Sequence, residues 1–156
     1  MPNTPKRETI LQYVITLMKT ITKPAYYNNI GDDQVTRTIH TLEDIESAEM
    51  PMILVTPGDE TAQVEGGKFI DKRRYLFEMF VLGFIHSDDP RDAGRDLENF
   101  IWDVRSVLQN DPGLGSNAID SEIVQIRSDI GVVGYPQYGV FVLEMVAQYD
   151  SPHSSP

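Results

Sequence analysis

The sequence predicts an α+β fold: a mostly antiparallel sheet of four to five strands, two amphipathic helices packed on one face, and a long hairpin arm. Three observations point there. Two segments carry apolar residues at helical spacing, several β-branched and aromatic runs end at Gly, Pro or Asn/Asp clusters, and a Gly- and acid-rich stretch separates two of those runs. At 156 residues the chain fits one domain whose core needs neither metal nor disulfide. Residues 1–150 are expected to form it, with Ser151–Pro156 as a flexible tail.

Taken in order, Ile10, Leu11, Val14, Leu17, Met18 and Ile21 make one helical stripe over residues 6–20, starting near Thr4 or Pro5. Lys23-Pro24 ends it, and residues 25–34 read as loop. Val35–Leu42 has strand composition, whereas 42–50 is short helix or acidic loop. Met52–Thr56 reads as a buried strand stopped by Pro57-Gly58. Gly58–Gly67, with Asp59, Glu60, Glu65 and Gly66-Gly67, reads as a long mobile hairpin connection. Lys72-Arg73-Arg74 then leads into a strand, Tyr75–Ile85.

Asp88-Asp89-Pro90 opens the second helix, because a carboxylate accepts orphan amides and proline suits the first turn. Leu97, Phe100, Ile101, Val104 and Leu108 share one face of it. Asn110-Asp111-Pro112-Gly113 stops it, and strands are expected at Ile119–Ser128 and Val140–Tyr149, separated by a glycine- and tyrosine-rich stretch.

Composition narrows the function. Zero cysteines rule out disulfide frameworks, thiolate metal sites and a cysteine nucleophile. The start lacks a basic stretch feeding an apolar run, and no segment approaches the roughly 18 apolar residues of a membrane span, so a soluble protein without a membrane partner is expected. A formal charge of −11 repels phosphate backbones, so tight DNA binding is not expected.

No enzyme signature is present, and neither a cofactor nor a metal is expected. His40, His86 and His153 are scattered, and Asp88, Asp89, Asp92 and Asp96 lack the calcium-loop pattern and are explained by the helix dipole. Gly113-Leu114-Gly115-Ser116-Asn117-Ala118 has the letters of a dinucleotide loop but follows a helix and opens a strand, the reverse of what that motif requires. Ser106, Ser116 and Ser121 have no nucleophile-elbow context.

The informative feature is that both parities of two strands are apolar. Tyr75, Phe77, Met79, Val81, Gly83 and Ile85 alternate with Leu76, Glu78, Phe80, Leu82 and Phe84; Phe141, Leu143, Met145, Ala147 and Tyr149 alternate with Val140, Val142, Glu144, Val146 and Gln148. Two helices cover one face, so the second needs another cover. Either the loops 24–51 and 110–118 fold over it, or a subunit interface lies there. Glu78 and Glu144 argue against a wholly dry face and call for Arg73, Arg74 or Arg105, in this or a neighbouring chain.

The element order, together with Met50-Pro51-Met52-Ile53-Leu54-Val55 before the arm, Phe100-Ile101-Trp102-Asp103-Val104-Arg105 followed by Leu108 and Asp111-Pro112, and Tyr135-Pro136-Gln137-Tyr138-Gly139 before the last strand, resembles the tail-terminator and minor tail proteins of long-tailed, lambda-like bacteriophages. The resemblance extends over residues 5–150. It implies a virion protein, assembled in the host cytoplasm, that forms a ring, usually of six subunits, on the head-proximal end of the tail tube. Such a ring stops tube polymerisation and provides the head-docking surface. The implied partners are further copies of the chain, the tail tube protein and a head-completion or neck protein, with DNA only as passing cargo. Six copies at −11 carry −66, consistent with a conduit that does not grip DNA.

No catalytic residues carry over. The interface candidates are Asp59, Glu60 and Glu65 on the arm, Arg73 and Arg74 at the strand start, Glu78 and Glu144 on the apolar strands, and Tyr135 and Tyr138 before the last strand. A head-to-tail joining protein or tube subunit is the nearest alternative, and a small-ligand-binding or enzymatic α+β domain the alternative of a different class.

Overall fold

The computed structural model describes residues 4–37, 50–63, 72–130 and 136–152. Helix α1 spans Lys6–Met18 and buries Ile10, Leu11, Val14, Ile15 and Met18, with Leu17 at the margin of the stripe. Helix α2 spans Ala93–Gln109 after a 3-10 turn at Pro90–Asp92. Asp89 precedes that turn, and its carboxylate accepts the Arg91 amide as the helix-start reading requires. All five apolar residues expected on the inner face of α2 are buried, joined by Ala93 and Val107.

Five strands form one sheet in the order β1-β2-β3-β5-β4: β1 (Val35–Thr36), β2 (Met52–Gln63), β3 (Lys72–His86), β4 (Asp120–Ile130) and β5 (Tyr138–Pro152). Every adjacent pair is antiparallel except β1 with β2. The centre is the β3–β5 ladder, unbroken from Lys72 opposite Pro152 to His86 opposite Tyr138. On one face Phe77, Met79, Val81 and Ile85 of β3 and Phe141, Leu143, Met145, Ala147 and Tyr149 of β5 form a continuous core with both helices. There Phe100 of α2 meets Phe141 edge-on at 5.3 Å. Gly83 makes this approach possible, since a Cβ at that position would fall 2.1 Å from Phe141 Cε1.

Long-range polar contacts fix the loops to the helices. Asp103, fully buried on α2, accepts the backbone N–H groups of Tyr27 and Asn28 and the Asn28 side-chain amide. Tyr13 of α1 donates its phenol proton to Asp111. Leu114 is fully buried in the core, held in a turn with positive φ at Leu114, Gly115 and Ser116.

Three readings change. Pro57-Gly58 does not stop β2: the strand continues to Gln63 because a bulge sits there, two residues, Gly58 and Asp59, lying between the partners of Met79 and Phe77. A bulge tolerates a residue without an N–H. Within Val35–Leu42 the described strand is Val35–Thr36 alone, and residues 38–42 lie outside the described residues. The last strand takes in Ser151 and Pro152, paired with Arg73 and Lys72, and 153–156 lie outside the described residues. Of the loops 24–51 and 110–118, one of the two possible covers for the second face, the described parts pack on the helix side, through Ile30 and Leu114 in the core and Asp111 on Tyr13, while residues 38–49 lie outside the described residues.

Candidate assembly surface

Side chains alternate along a strand, so the even residues of β3 and β5 point away from both helices. Leu76, Phe80 and Leu82 face that way beside Val140, Val142 and Val146, and all six are half-buried. Met52, Leu54 and Phe84 at one end of this face are buried, yet they stand outside the continuous core. The outer strand β4 gives the face a polar margin of Glu122, Gln125, Arg127 and Asp129, all exposed.

Two carboxylates interrupt the apolar surface. Glu78 lies opposite Val146 and Glu144 opposite Phe80, so the two are diagonal neighbours on adjacent strands, about 7–8 Å apart. Both are half-buried, and among the described residues neither forms an ion pair. Arg127 is diagonal to Glu144 but donates to Gln125 Oε1 at 3.3 Å. Phe80, Gln125, Arg127, Val142 and Glu144 rim a shallow depression of about 110 Å³. A half-buried carboxylate keeps part of its hydration, and a partner that covers it has to supply a cation or hydrogen-bond donors in place of that water.

The arginines expected to serve these carboxylates are placed elsewhere. Arg74 reaches its cross-strand neighbour Asp150 at 3.0 Å. Arg73 stands exposed opposite Ser151, and Arg105 is exposed on α2, across the sheet. On the arm, Asp59 is exposed in the bulge, and Glu60 accepts the Tyr149 phenol proton. Burial and then the Glu60 carboxylate push the Tyr149 phenol well above its ordinary range. Tyr149 also stacks on Tyr75 at 5.4 Å, while the Arg7 guanidinium lies 4.5 Å from the Phe77 ring centroid and donates to the Gly58 carbonyl at 3.1 Å.

Tyr138 sits at the far end of the sheet, its ring 4.9 Å from that of His86. Glu65 and Tyr135 lie outside the described residues. The candidates thus fall into groups: Asp59, Glu60, Arg73 and Arg74 toward the arm, Glu78 and Glu144 at the middle of the second face, and Tyr138 at the opposite end.

One surface was missed from sequence. Trp102 is 48% exposed and Tyr27 55%, and their rings meet edge-on at 5.5 Å on the outer side of α2. With Pro24, Ala25 and Tyr26 they line a hollow of about 230 Å³. The signal was available: Trp102 falls off the apolar stripe of its helix and therefore had to point outward.

Among the described residues no cluster of His, Asp and Glu is placed to hold a metal ion, and no helix is long and apolar enough to cross a membrane. No curated relative matches the chain. Residues 5–134 match the profile of a family described as Bacteriophage Tail Tube Terminator Protein, which is well over half of the sequence, and the chain accordingly belongs to that family of structural tail proteins.

Proposed function

We propose that the chain acts as a tail terminator by closing into a ring, six-membered as the resemblance implies, on the head-proximal end of the tail tube in the virion. There it stops tube polymerisation and presents the surface on which the head docks. The observation that supports this reading is the second sheet face: both helices lie on the other side, and it carries apolar residues with the carboxylates of Glu78 and Glu144, which form no ion pair among the described residues. A subunit of a closed assembly needs such a surface. The arm residues Asp59, Glu60 and Glu65, the strand start at Arg73 and Arg74, and Tyr135 and Tyr138 are the further contact positions toward neighbouring copies, the tube protein or a head-completion protein. The role is structural, without catalysis or cofactor, and DNA passes through the ring without being held.

Mass measurement and electron microscopy of the pure protein, alone and mixed with tail tubes, test this. Closed rings and tubes capped at one end, which then cease to grow, are expected. A strict monomer that leaves tubes growing overturns the proposal. Long tubes formed by the protein alone would make it a tube subunit, and rings that bind the tail without stopping growth would make it a joining protein.

A further inference from the structure

We infer that the second sheet face of one copy is covered by the outer surface of α2 from the next, with Trp102, Tyr27 and Arg105 seated on Phe80, Val142 and Glu144. The inference rests on the self-assembling role proposed above and names the two surfaces that meet.

Charge selects the pairing. Two copies joined through the same face would bring two Glu78 and two Glu144 carboxylates together in an apolar contact, four carboxylates against the two Arg127 guanidiniums at its rim, which is unfavourable. The face needs cations, and most cations of the described chain are engaged. Lys19 pairs with Asp32, Arg37 with Glu8, Arg74 with Asp150, Arg91 with Asp89 and Arg95 with Asp92. Arg7 lies over Phe77, and Arg127 bonds Gln125. Among the described residues Lys6, Lys23 and Arg105 form no ion pair and make no such contact. Two of these three flank the Trp102 hollow: Arg105 follows Trp102 by one helical turn, and Lys23 precedes Pro24 of its lining.

Chemistry and rigidity point the same way. Trp, Tyr and Arg are the residue types that carry most binding energy at protein interfaces, and Trp102, Tyr27 and Arg105 are all exposed on this side of the molecule. The hollow is held in place before any partner arrives, because buried Asp103 ties the Tyr27–Asn28 backbone to the helix that carries Trp102. On the opposite side, the depression beside Phe80 and Val142 offers a projecting ring a seat, with Glu144 at its rim for the guanidinium. The two surfaces lie on opposite sides of the sheet, so the contact is head-to-tail, the type that closes into a ring when its rotation permits.

The absence of cysteine allows a direct test. Ser106→Cys, one turn beyond Trp102, and Val142→Cys are made separately in the full chain. Each is first checked for tube capping, and the proteins are then treated with a short bis-maleimide alone and as a mixture. A dimer containing one of each variant, none from either variant alone, and a ladder from the double variant are expected. Cross-linking of Val142→Cys to itself shows face-to-face pairing and overturns the inference. Mixtures that cap tubes but yield no cross-link also overturn it, leaving the terminator role intact, whereas loss of capping by the wild type sinks that role and the inference with it. In parallel, Arg105→Glu is expected to weaken self-association about tenfold or more, and adding Glu144→Arg to recover part of the loss. The sole tryptophan supplies a second readout, since Trp102 emission shifts to shorter wavelength when the wild type assembles. Unchanged emission on assembly contradicts the contact.

Discussion

The Asp103 carboxylate accepts the backbone N–H of Tyr27 at 3.0 Å, joining two residues 76 positions apart in the chain. The same carboxylate takes both donors of Asn28 at 2.9 and 3.0 Å. Asp103→Ala removes all three acceptor contacts beside a buried position, and a loss of about 3 kcal/mol in urea unfolding is expected. Asp103→Asn keeps one acceptor oxygen and should lose about half as much. Asp103→Ala frees the Tyr27 backbone beside Trp102, so native-state tryptophan emission should change in that variant, and less in Asp103→Asn.

Gly83 and Phe141 make an equally sharp case. Alanine at 83 would set its methyl 2.1 Å from Phe141 Cε1 and 2.9 Å from Phe100 Cε1, far inside contact distance, with both rings fully buried. Gly83→Ala should destabilise by about 3 kcal/mol. Combining it with Phe141→Leu makes room for the methyl, so the double variant should lose less than the two single losses added together. Additive losses in the double-mutant cycle would contradict this packing.

Tyr149 predicts an alkaline limit. Its phenol loses a proton less readily in the folded chain than at the ordinary value of 10.0, first through burial and then through Glu60. The folded form therefore holds the proton more tightly than the unfolded form. Its contribution to stability is complete below about pH 10 and is lost as pH rises toward the folded-state value. The fall in Tm above pH 10 should be shallower in Tyr149→Phe than in the wild type. A residual slope belongs to Tyr13, whose phenol is raised by its bond to Asp111. Phenolate absorbance should show the latest-titrating tyrosine disappear in Tyr149→Phe.

Arg7 connects the first helix to the arm through the Phe77 ring and the Gly58 carbonyl. Arg7→Ala should cost about 1–2 kcal/mol. Hydrogen exchange should quicken selectively at 58–63, beyond the bulge, while the β3–β5 ladder keeps its protection.

What could be read in the sequence followed from strict local periodicity. The stripes Ile10 to Met18 and Leu97 to Leu108 name the helix faces directly, and the double apolar parity of 75–85 and 140–149 correctly predicts a face that the helices leave uncovered. What escaped depends on residues remote in sequence. Pro57-Gly58 looks like a strand end until β3 supplies Met79 and Phe77 on either side of a bulge. Arg74 looked available to Glu78 or Glu144, but the β3–β5 register puts Asp150 directly opposite it. Asp103 reads as an ordinary polar position on a helix, because its partners arrive from a loop near the other end of the chain. Leu114, one apolar residue in a polar turn, has no periodicity to mark it as core.

The bulges have a consequence for unwanted growth. Both long strands that flank the β3–β5 pair are interrupted: β4, at the sheet edge, at Val124, which is 58% exposed between Ile123 and Gln125, and β2, bordered among the described residues by the two-residue β1 along Ile53-Leu54, at Gly58-Asp59 beside Pro57. An uninterrupted edge is a template on which another strand can pair without limit, the route to sheet fibrils. A kinked edge with an unpaired residue and a missing N–H cannot be copied in register. A chain whose family ends the growth of one polymer therefore also carries, in its own sheet, two breaks that keep it from starting another.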